Sequence, residues 1–493
     1  MREGARVNSA TIFDYFELGK ANVLSEMLAL NQGKAYAGIP ADSLAMEEDL
    51  QAEMAYFQLA LANSPDSLSE ALYRQELFGV QRAYRSLVDT FLTRYPAYHQ
   101  LKYQPTISSL DEVQSSLRDG ELLVSYFIGE EALYVYVIST ETAEVYQQPI
   151  SAELERQVTG LRRVIDLRLD EDYFDLASTL FQTLFPFEIP EGTGSLIMVP
   201  DGTLSQVPFS ALLTEPIEEA APSLSALPYL INSYSVQYAP SASLLVKGRE
   251  KAARQYDQEL LAYAPIFAEP QDLADYGAAG RSFDEMENIE VVRSVSVDGK
   301  TVAPLPGALQ EVENIAAVFE ENGKNGQTFL FDKASEGQIK ESFAVNPHRF
   351  LHIATHGFVN HGNPNRSGLL FYPDSTSQED HVLYSAELYG LQLNTDMVVL
   401  SACETGLGNI VRGEGLLGLS RAFLYAGAEN LMVSLWKVQD RATADLMVDF
   451  YRLYYANPEQ GYSAALREAK LDMIATERYA HPYYWSPFVL LGK

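Results

Sequence analysis

A chain of 493 residues with 47% apolar content is long enough for two to four domains with real cores. Lys and Arg total 35 against 67 Asp and Glu, a formal charge of −32, whose field repels nucleic-acid phosphates and anionic lipid heads and leaves a basic protein or peptide acceptable as a partner. A single cysteine excludes an internal disulfide and a CxxC metal site, and nothing resembles a signal-peptide core or a membrane span of roughly 18 apolar residues, so a soluble cytoplasmic protein without membrane contact is expected.

Residues 1–105 read as helical. Apolar side chains recur at three- and four-residue steps through "ATIFDYFELGKANVLSEMLAL", "LQAEMAYFQLALA" and "LYRQELFGVQRAYRSLVDTFL", with "NSPDSLSE" as a break. No full 34-residue period can be shown, but the helix-pair rhythm is similar to the end of a tetratricopeptide array. Residues 106–250 change texture. "ELLVSYFIG", "ALYVYVIST" and "AEVYQQP" predict a meander, helical patterns over 151–186 follow, and "SLIMVP" and "YLINSYSVQYAP" predict strands before a helix at "SASLL".

Residues 251–304 predict a strand followed by an acidic, weakly patterned linker or loop. Over 305–493 helices and apolar strands alternate: "GALQEVENIAAVFEEN", "TFLF", "EGQIKESFAV", "FLHIATHG", "MVVLSAC", "GLLGLSRAFLYAG", "NLMVSLW", then two helices. That is the pattern of a mostly parallel sheet flanked by helices, an α/β fold whose chemistry collects beyond the carboxyl ends of adjacent strands.

Two of those strands end in useful residues, His356-Gly357 and Cys403. As parallel neighbours they would set imidazole beside thiol, and an imidazole can take the proton of an otherwise weak nucleophile. A lone cysteine is ordinarily a small buried hydrophobe. Here its strand-end position and the glycine-rich run after it favour an accessible thiol. None of the seven histidines lies between residues 100 and 347, so the middle of the chain offers no such pair.

Other motifs fail. "HIATH" is not HExxH, and His352 reads as a packed or hydrogen-bonded core residue; His361, His381 and His481 read as loop or surface residues. "SVSVDGKT" has Ser294 where a P-loop needs its first glycine, and no G-x-S-x-G elbow is present. No metal site and no cofactor are expected.

The set "VPDGTLSQVPFSAL", "PLPGALQEVENIA", "LHIATHG", "VVLSACETGLG", "GEGLLGLSRAFLYAGAENLMVSLWKVQDRATADLM" and "HPYYWSPFVLLG", from about Val199 to the C-terminus, resembles the CHAT family. These are caspase-like domains found behind tetratricopeptide repeats, within the wider group of caspase, separase and gingipain peptidases. The resemblance implies a caspase-like catalytic half at 305–493, an inactive pseudo-caspase half at 106–250, and a cysteine endopeptidase activity. It implies His356 and Cys403 as the dyad, acting through an acyl-enzyme, and the backbone N–H groups of Gly357 and Cys403 as the oxyanion hole. "SACETG" departs from the caspase motif, so caspase specificity for aspartate does not carry over.

The separase-like stretch "SLWKVQD" makes Asp440 the S1 candidate for a basic P1 residue, with Glu404 and then Glu414 behind it; the competing reading of Asp440 is a helix N-cap. The family also implies latency, relieved when a regulatory protein binds the helical N-terminal region. "GLGNIVRGEG", with four glycines in ten residues, is the candidate moving loop. The alternative function is a non-catalytic caspase-like scaffold or protein-binding module.

Overall fold

A computed structural model of the chain describes residues 10–18, 20, 67–94, 107–150, 153–218, 223–250, 254–267, 295–297, 300–302, 305–345, 347–358, 366–374, 379–401, 419–436 and 439–493, with scattered positions between 43 and 61. Two compact units divide it: residues 1–20 with 108–493, and residues 21–107.

The larger unit begins with helix α1 (residues 10–18). Its "FDYF" motif buries Phe13 and Phe16 against Tyr136, ring centroids 5.9 and 5.6 Å away. Glu17 accepts hydrogen bonds from the N–H groups of Ala242 and Ser243 at 3.1 and 2.7 Å, and the buried Lys20 donates to Ser125 Oγ and the Val199 carbonyl at 2.8 and 2.7 Å. Ser108, where the chain returns from the smaller unit, donates its N–H to Ser243 Oγ, a neighbour of Glu17. The first helix, read with the helical region 1–105, thus packs with the α/β unit, and residues 21–107 form the other. In that smaller unit the main element is α2 (Ser67–Arg94), a 28-residue helix.

After α3 (Leu110–Ser116), closed by the Ser109–Glu112 capping box, the meander forms as β1 (Glu121–Ile128), β2 (Ala132–Ile138) and β3 (Ala143–Pro149). Helices α4 (Glu153–Leu167) and α5 (Asp170–Leu184) lead to β4 (Ser195–Val199). "YLINSYSVQYAP", expected as one strand, is a helical turn over Leu230–Ser233 followed by β5 (Ser235–Tyr238). Then come α6 (Ala242–Arg249), β6 (Gln258–Ala264) and the hairpin β7 (Val295–Val297) and β8 (Lys300–Val302). Lys300 and Thr301 of "SVSVDGKT" therefore open a hairpin strand, not the helix a phosphate cradle requires.

The alternating pattern over 305–493 resolves as α7 (Pro306–Glu321), β9 (Gly326–Leu330), α8 (Glu336–Val345) and β10 (His348–Ala354). A small antiparallel sheet follows, β11 (Gly357–Phe358), β12 (Gly368–Leu370) and β13 (Val382–Tyr384). The remaining elements are β14 (Thr395–Ser401), α9 (Leu419–Ala426), β15 (Asn430–Ser434), α10 (Asp440–Ala456), α11 (Gly461–Ala475) and β16 (Phe488–Gly492). Among the described residues no helix is long and apolar enough to cross a membrane.

One eleven-stranded sheet runs through both halves in the order β3-β2-β1-β4-β5-β16-β15-β14-β10-β6-β9. The expected mostly parallel sheet flanked by helices is what forms. The C-terminal strand β16 lies at the junction, parallel to β5 and antiparallel to β15, so the two halves point in opposite directions. The parallel strands β6, β10, β14 and β15 consequently present their carboxyl ends together, at the end of the sheet opposite to those of β1, β4 and β5. Six of the seven residues of β10 are buried, which is why "FLHIATHG" reads as nearly continuous apolar sequence.

Side chains close the seam between the halves. Trp485 meets Tyr229 edge-on at 5.0 Å, the Arg168 guanidinium lies 4.8 and 4.9 Å over the rings of Tyr483 and Tyr484, and Arg467 donates to the Ile231 carbonyl at 2.7 Å. His481, expected in a loop or at the surface, lies in a bend before a helical turn but is buried at this seam, 3.3 Å from Asp170.

Lys470 is also buried there, its Nζ 3.4 Å from Ser210 Oγ, and burial pushes its ammonium down to about 7 from the ordinary 10.5. The unfolded chain binds this proton more tightly, so Lys470 destabilises the fold at pH 7 and below, and the penalty fades as pH rises toward 10.5. Lys470→Met is therefore expected to melt higher than wild type at pH 7, with the difference shrinking by pH 10. Thermal melts of both proteins at the two pH values check this, and a constant difference would refute it.

Candidate active site

The site starts from the register of β10 on β14. Residues pair from His348 with Thr395 to Ala354 with Ser401, a constant offset of 47. Beyond Ala354 the chain turns through Thr355 to His356. Thr355 Oγ1 donates to the Leu370 carbonyl at 2.5 Å, and the Leu370 N–H donates to the His356 carbonyl at 2.9 Å. That second bond makes Gly357 and Leu369 a non-hydrogen-bonded pair of the β11–β12 ladder, so the N–H of Gly357 points away from β12. Cys403 and Glu404 follow Ser401 by two and three residues, and they, Glu414 and His361 lie outside the described residues.

On the other flank of β10 stands β6, whose chain continues through Pro265 to Ile266 and Phe267. The Phe267 ring lies against the His356 imidazole, centroids 5.5 Å apart and planes at 36°. Ile266 and Phe267 are fully buried and both left-handed, φ 60° and 56°. For bulky residues such backbone is rare and costs of order 1–3 kcal/mol per residue. The Leu305 N–H donating to the Ile266 carbonyl at 2.8 Å holds it in place.

His352 is the packed, hydrogen-bonded histidine expected of it. It is fully buried, with Nε2 2.9 Å from Glu311 Oε1 and Nδ1 3.2 Å from the Tyr451 hydroxyl. Glu311 and Phe267 were not anticipated from sequence. Glu311 had a signal: it sits three residues after Ala308 and four before Ile315, on the apolar face of α7, where a carboxylate needs a buried partner. Phe267 had none, since its neighbour is 89 residues away.

Asp440 lines a cavity of about 30 Å³ with Glu311, Thr355, Ser401, Ser434 and Trp436, at the same strand ends as His356. That is room for one or two waters. Asp440 is the first residue of α10; the N-cap is Gln439 and no side-chain cap bond forms, so the capping reading does not hold. The N-terminus of α7 also closes on it, because a Cβ at Gly307 would come within 2.5 Å of the Asp440 Cβ. Two helix N-termini converge on this carboxylate, and both favour its negative charge.

One carboxylate cluster has the spacing of a metal site, Glu336, Glu379 and Glu387, with ligand oxygens within 4.8 Å of one another. Lys340 Nζ occupies its centre, 2.6, 2.7 and 2.6 Å from the three. The ammonium supplies the charge a cation would bring.

The family model of the CHAT domain matches residues 175–493. The chain belongs to the CHAT domain family. Tetratricopeptide repeat protein 28 of Mus musculus is 34% identical over 114 residues, which are 23% of this chain and 4% of that protein; its Homo sapiens counterpart is 33% identical over 122 residues, 24% and 5%. The Saccharomyces cerevisiae separase–securin complex is similar in structure with a TM-score of 0.48 and 10% identity, covering 78% of this chain and 30% of that one. The Arg-specific cysteine proteinase gingipain R gives a TM-score of 0.37 and 8% identity over 65% and 67%. The CHAT match begins inside α5, so it covers β4, β5 and every strand of the second half.

Proposed function

We propose that this CHAT domain is a cytoplasmic cysteine endopeptidase acting through His356 and Cys403. The observation that carries the reading is the register: the offset of 47 that pairs β10 with β14 is also the separation of His356 and Cys403 in sequence. His356 takes the thiol proton, and the thiolate attacks the scissile carbonyl carbon. The N–H groups of Gly357 and Cys403 receive the oxyanion, and the direction of the Gly357 N–H away from β12 supports that role. The C–N bond breaks as His356 returns its proton to the leaving amine. Water, deprotonated by His356, then hydrolyses the thioester to the acid and the free thiol.

Cleavage falls after Arg or Lys, whose charge is met by Asp440, or failing it Glu404, at the base of S1. The place of Asp440 beside Thr355 and Ser401 at the strand ends supports the first choice, and the cavity they line, with room for one or two waters, must widen to admit the side chain. Asp440→Ala is expected to lose the basic preference by roughly ten- to a hundredfold, the worth of one charge-assisted hydrogen bond, while melting only slightly earlier. Cutting of the same basic sites at the same rate by the variant would leave Asp440 as a helix-terminus carboxylate only.

The domain is held latent by its 406–415 loop until a regulatory protein binds the helical region, where α2 leaves Leu72 and Phe78 exposed. A randomised peptide library, incubated with the chain before and after limited proteolysis of that loop and sequenced at its cut sites, tests activity, P1 preference and latency together. Cys403→Ala is the control. An uncut library in both arms would leave the scaffold reading.

A further inference from the structure

We propose that Phe267 is a positioning residue for His356, fixing the plane of the imidazole between the ends of β6 and β14. The inference rests on the peptidase reading and adds to it a residue from a third strand. β6 pairs with β10 at an offset of 90, from His348–Gln258 to Ile353–Tyr263, and the same offset carried past the strand ends sets Ile266 level with His356. Phe267 is the next residue, and its ring meets the imidazole at 5.5 Å.

The chain reaches this arrangement by two successive left-handed residues, one of them β-branched, in a segment buried on all sides. An extended backbone after Pro265 would continue β6 without strain. Strain of this kind persists where surrounding contacts over-determine it, and here Leu305, just before α7, grips Ile266 while the next ring presses the imidazole. His356 has neither a strand nor a helix of its own to hold it, since β10 ends at Ala354. Its backbone is fixed through Leu370, and the face of its ring is fixed by Phe267. A general acid–base gains its full effect only when the imidazole is held in reach of both thiol and leaving amine, so a freely turning ring loses rate without losing substrate affinity.

The test uses the full chain with Phe267→Leu, which keeps apolar volume, and Phe267→Tyr, which keeps the ring. Expected for Phe267→Leu is a kcat about tenfold lower with KM unchanged and a displaced His356 limb of the pH–rate profile. The His356 Cε1–H NMR resonance, assigned by its disappearance in His356→Gln, should move as the ring current is lost. Phe267→Tyr should restore all three. A pH profile, kcat and resonance that stay in place in Phe267→Leu would overturn the inference while leaving the dyad intact. Undiminished cleavage by His356→Gln would overturn the dyad itself, and the positioning role with it. Should Phe267→Leu not fold, Phe267→Met carries the same comparison.

Discussion

Cys403→Ala is expected to reduce cleavage of any substrate found in the peptide library to background, and His356→Ala to reduce it at least about a hundredfold. The first change removes the only thiol in 493 residues, so no neighbouring sulfur can substitute. The second leaves the sulfur but removes the group that takes its proton and protonates the leaving amine. His356→Ala should not lower the melting temperature much, because His356 is only partly buried and lies beyond the last residue of β10. His352→Gln is the contrasting control. Its imidazole is fully buried between Glu311 and Tyr451; the Gln amide can still donate to Glu311 but leaves the buried Tyr451 hydroxyl short of a partner, at about 1–3 kcal/mol, while the folded fraction should cleave normally. Full activity in either Cys403→Ala or His356→Ala would end the dyad mechanism; loss of activity in His352→Gln without loss of stability would move the base four residues upstream.

A fragment starting near Pro304 is expected to be insoluble or unfolded, with no cleavage. The fragment carries both dyad residues, so sequence position alone would suggest that it suffices. It lacks β6, however, and β6 is the parallel neighbour of β10 and, among the described residues, the one sheet partner of β9. Removing it bares the edge of the strand that leads to His356. At the other side β16 loses β5, and the apolar surfaces of Trp485, Tyr483 and Tyr484 lose Tyr229 and Arg168. Exposed apolar area of that kind drives aggregation. Size-exclusion chromatography and a thermal melt decide the matter: a monodisperse, cooperatively melting and active fragment would show that residues before 304 are dispensable.

The strands read as ending in His356-Gly357 and Cys403 stop at Ala354 and Ser401, whereas the alternation of apolar strands with helices over 305–493 and the packed state of His352 were legible in the sequence. Each depends on local pattern: a buried strand between helices must be apolar on both faces, and a histidine inside such a run must face a packed partner. Family motifs added the proposed dyad and the order of the elements. Beyond that reach lay the terminal "FVLLG", which as β16 joins the halves and reverses their direction, and the strand of the 251–304 segment, which as β6 enters the second half's sheet between β10 and the edge strand β9. The partners of His352 and His356 lay beyond it too. Glu311 and Tyr451 come from α7 and α10, and Phe267 from the end of β6. Strand order and ring-on-ring placement are set by which apolar faces can be covered at once, a condition on the whole sheet that no window of neighbouring residues contains. The residues proposed for the chemistry were therefore nameable from the sequence, while the ring beside the His356 imidazole was decided by the packing of strands far apart in the chain.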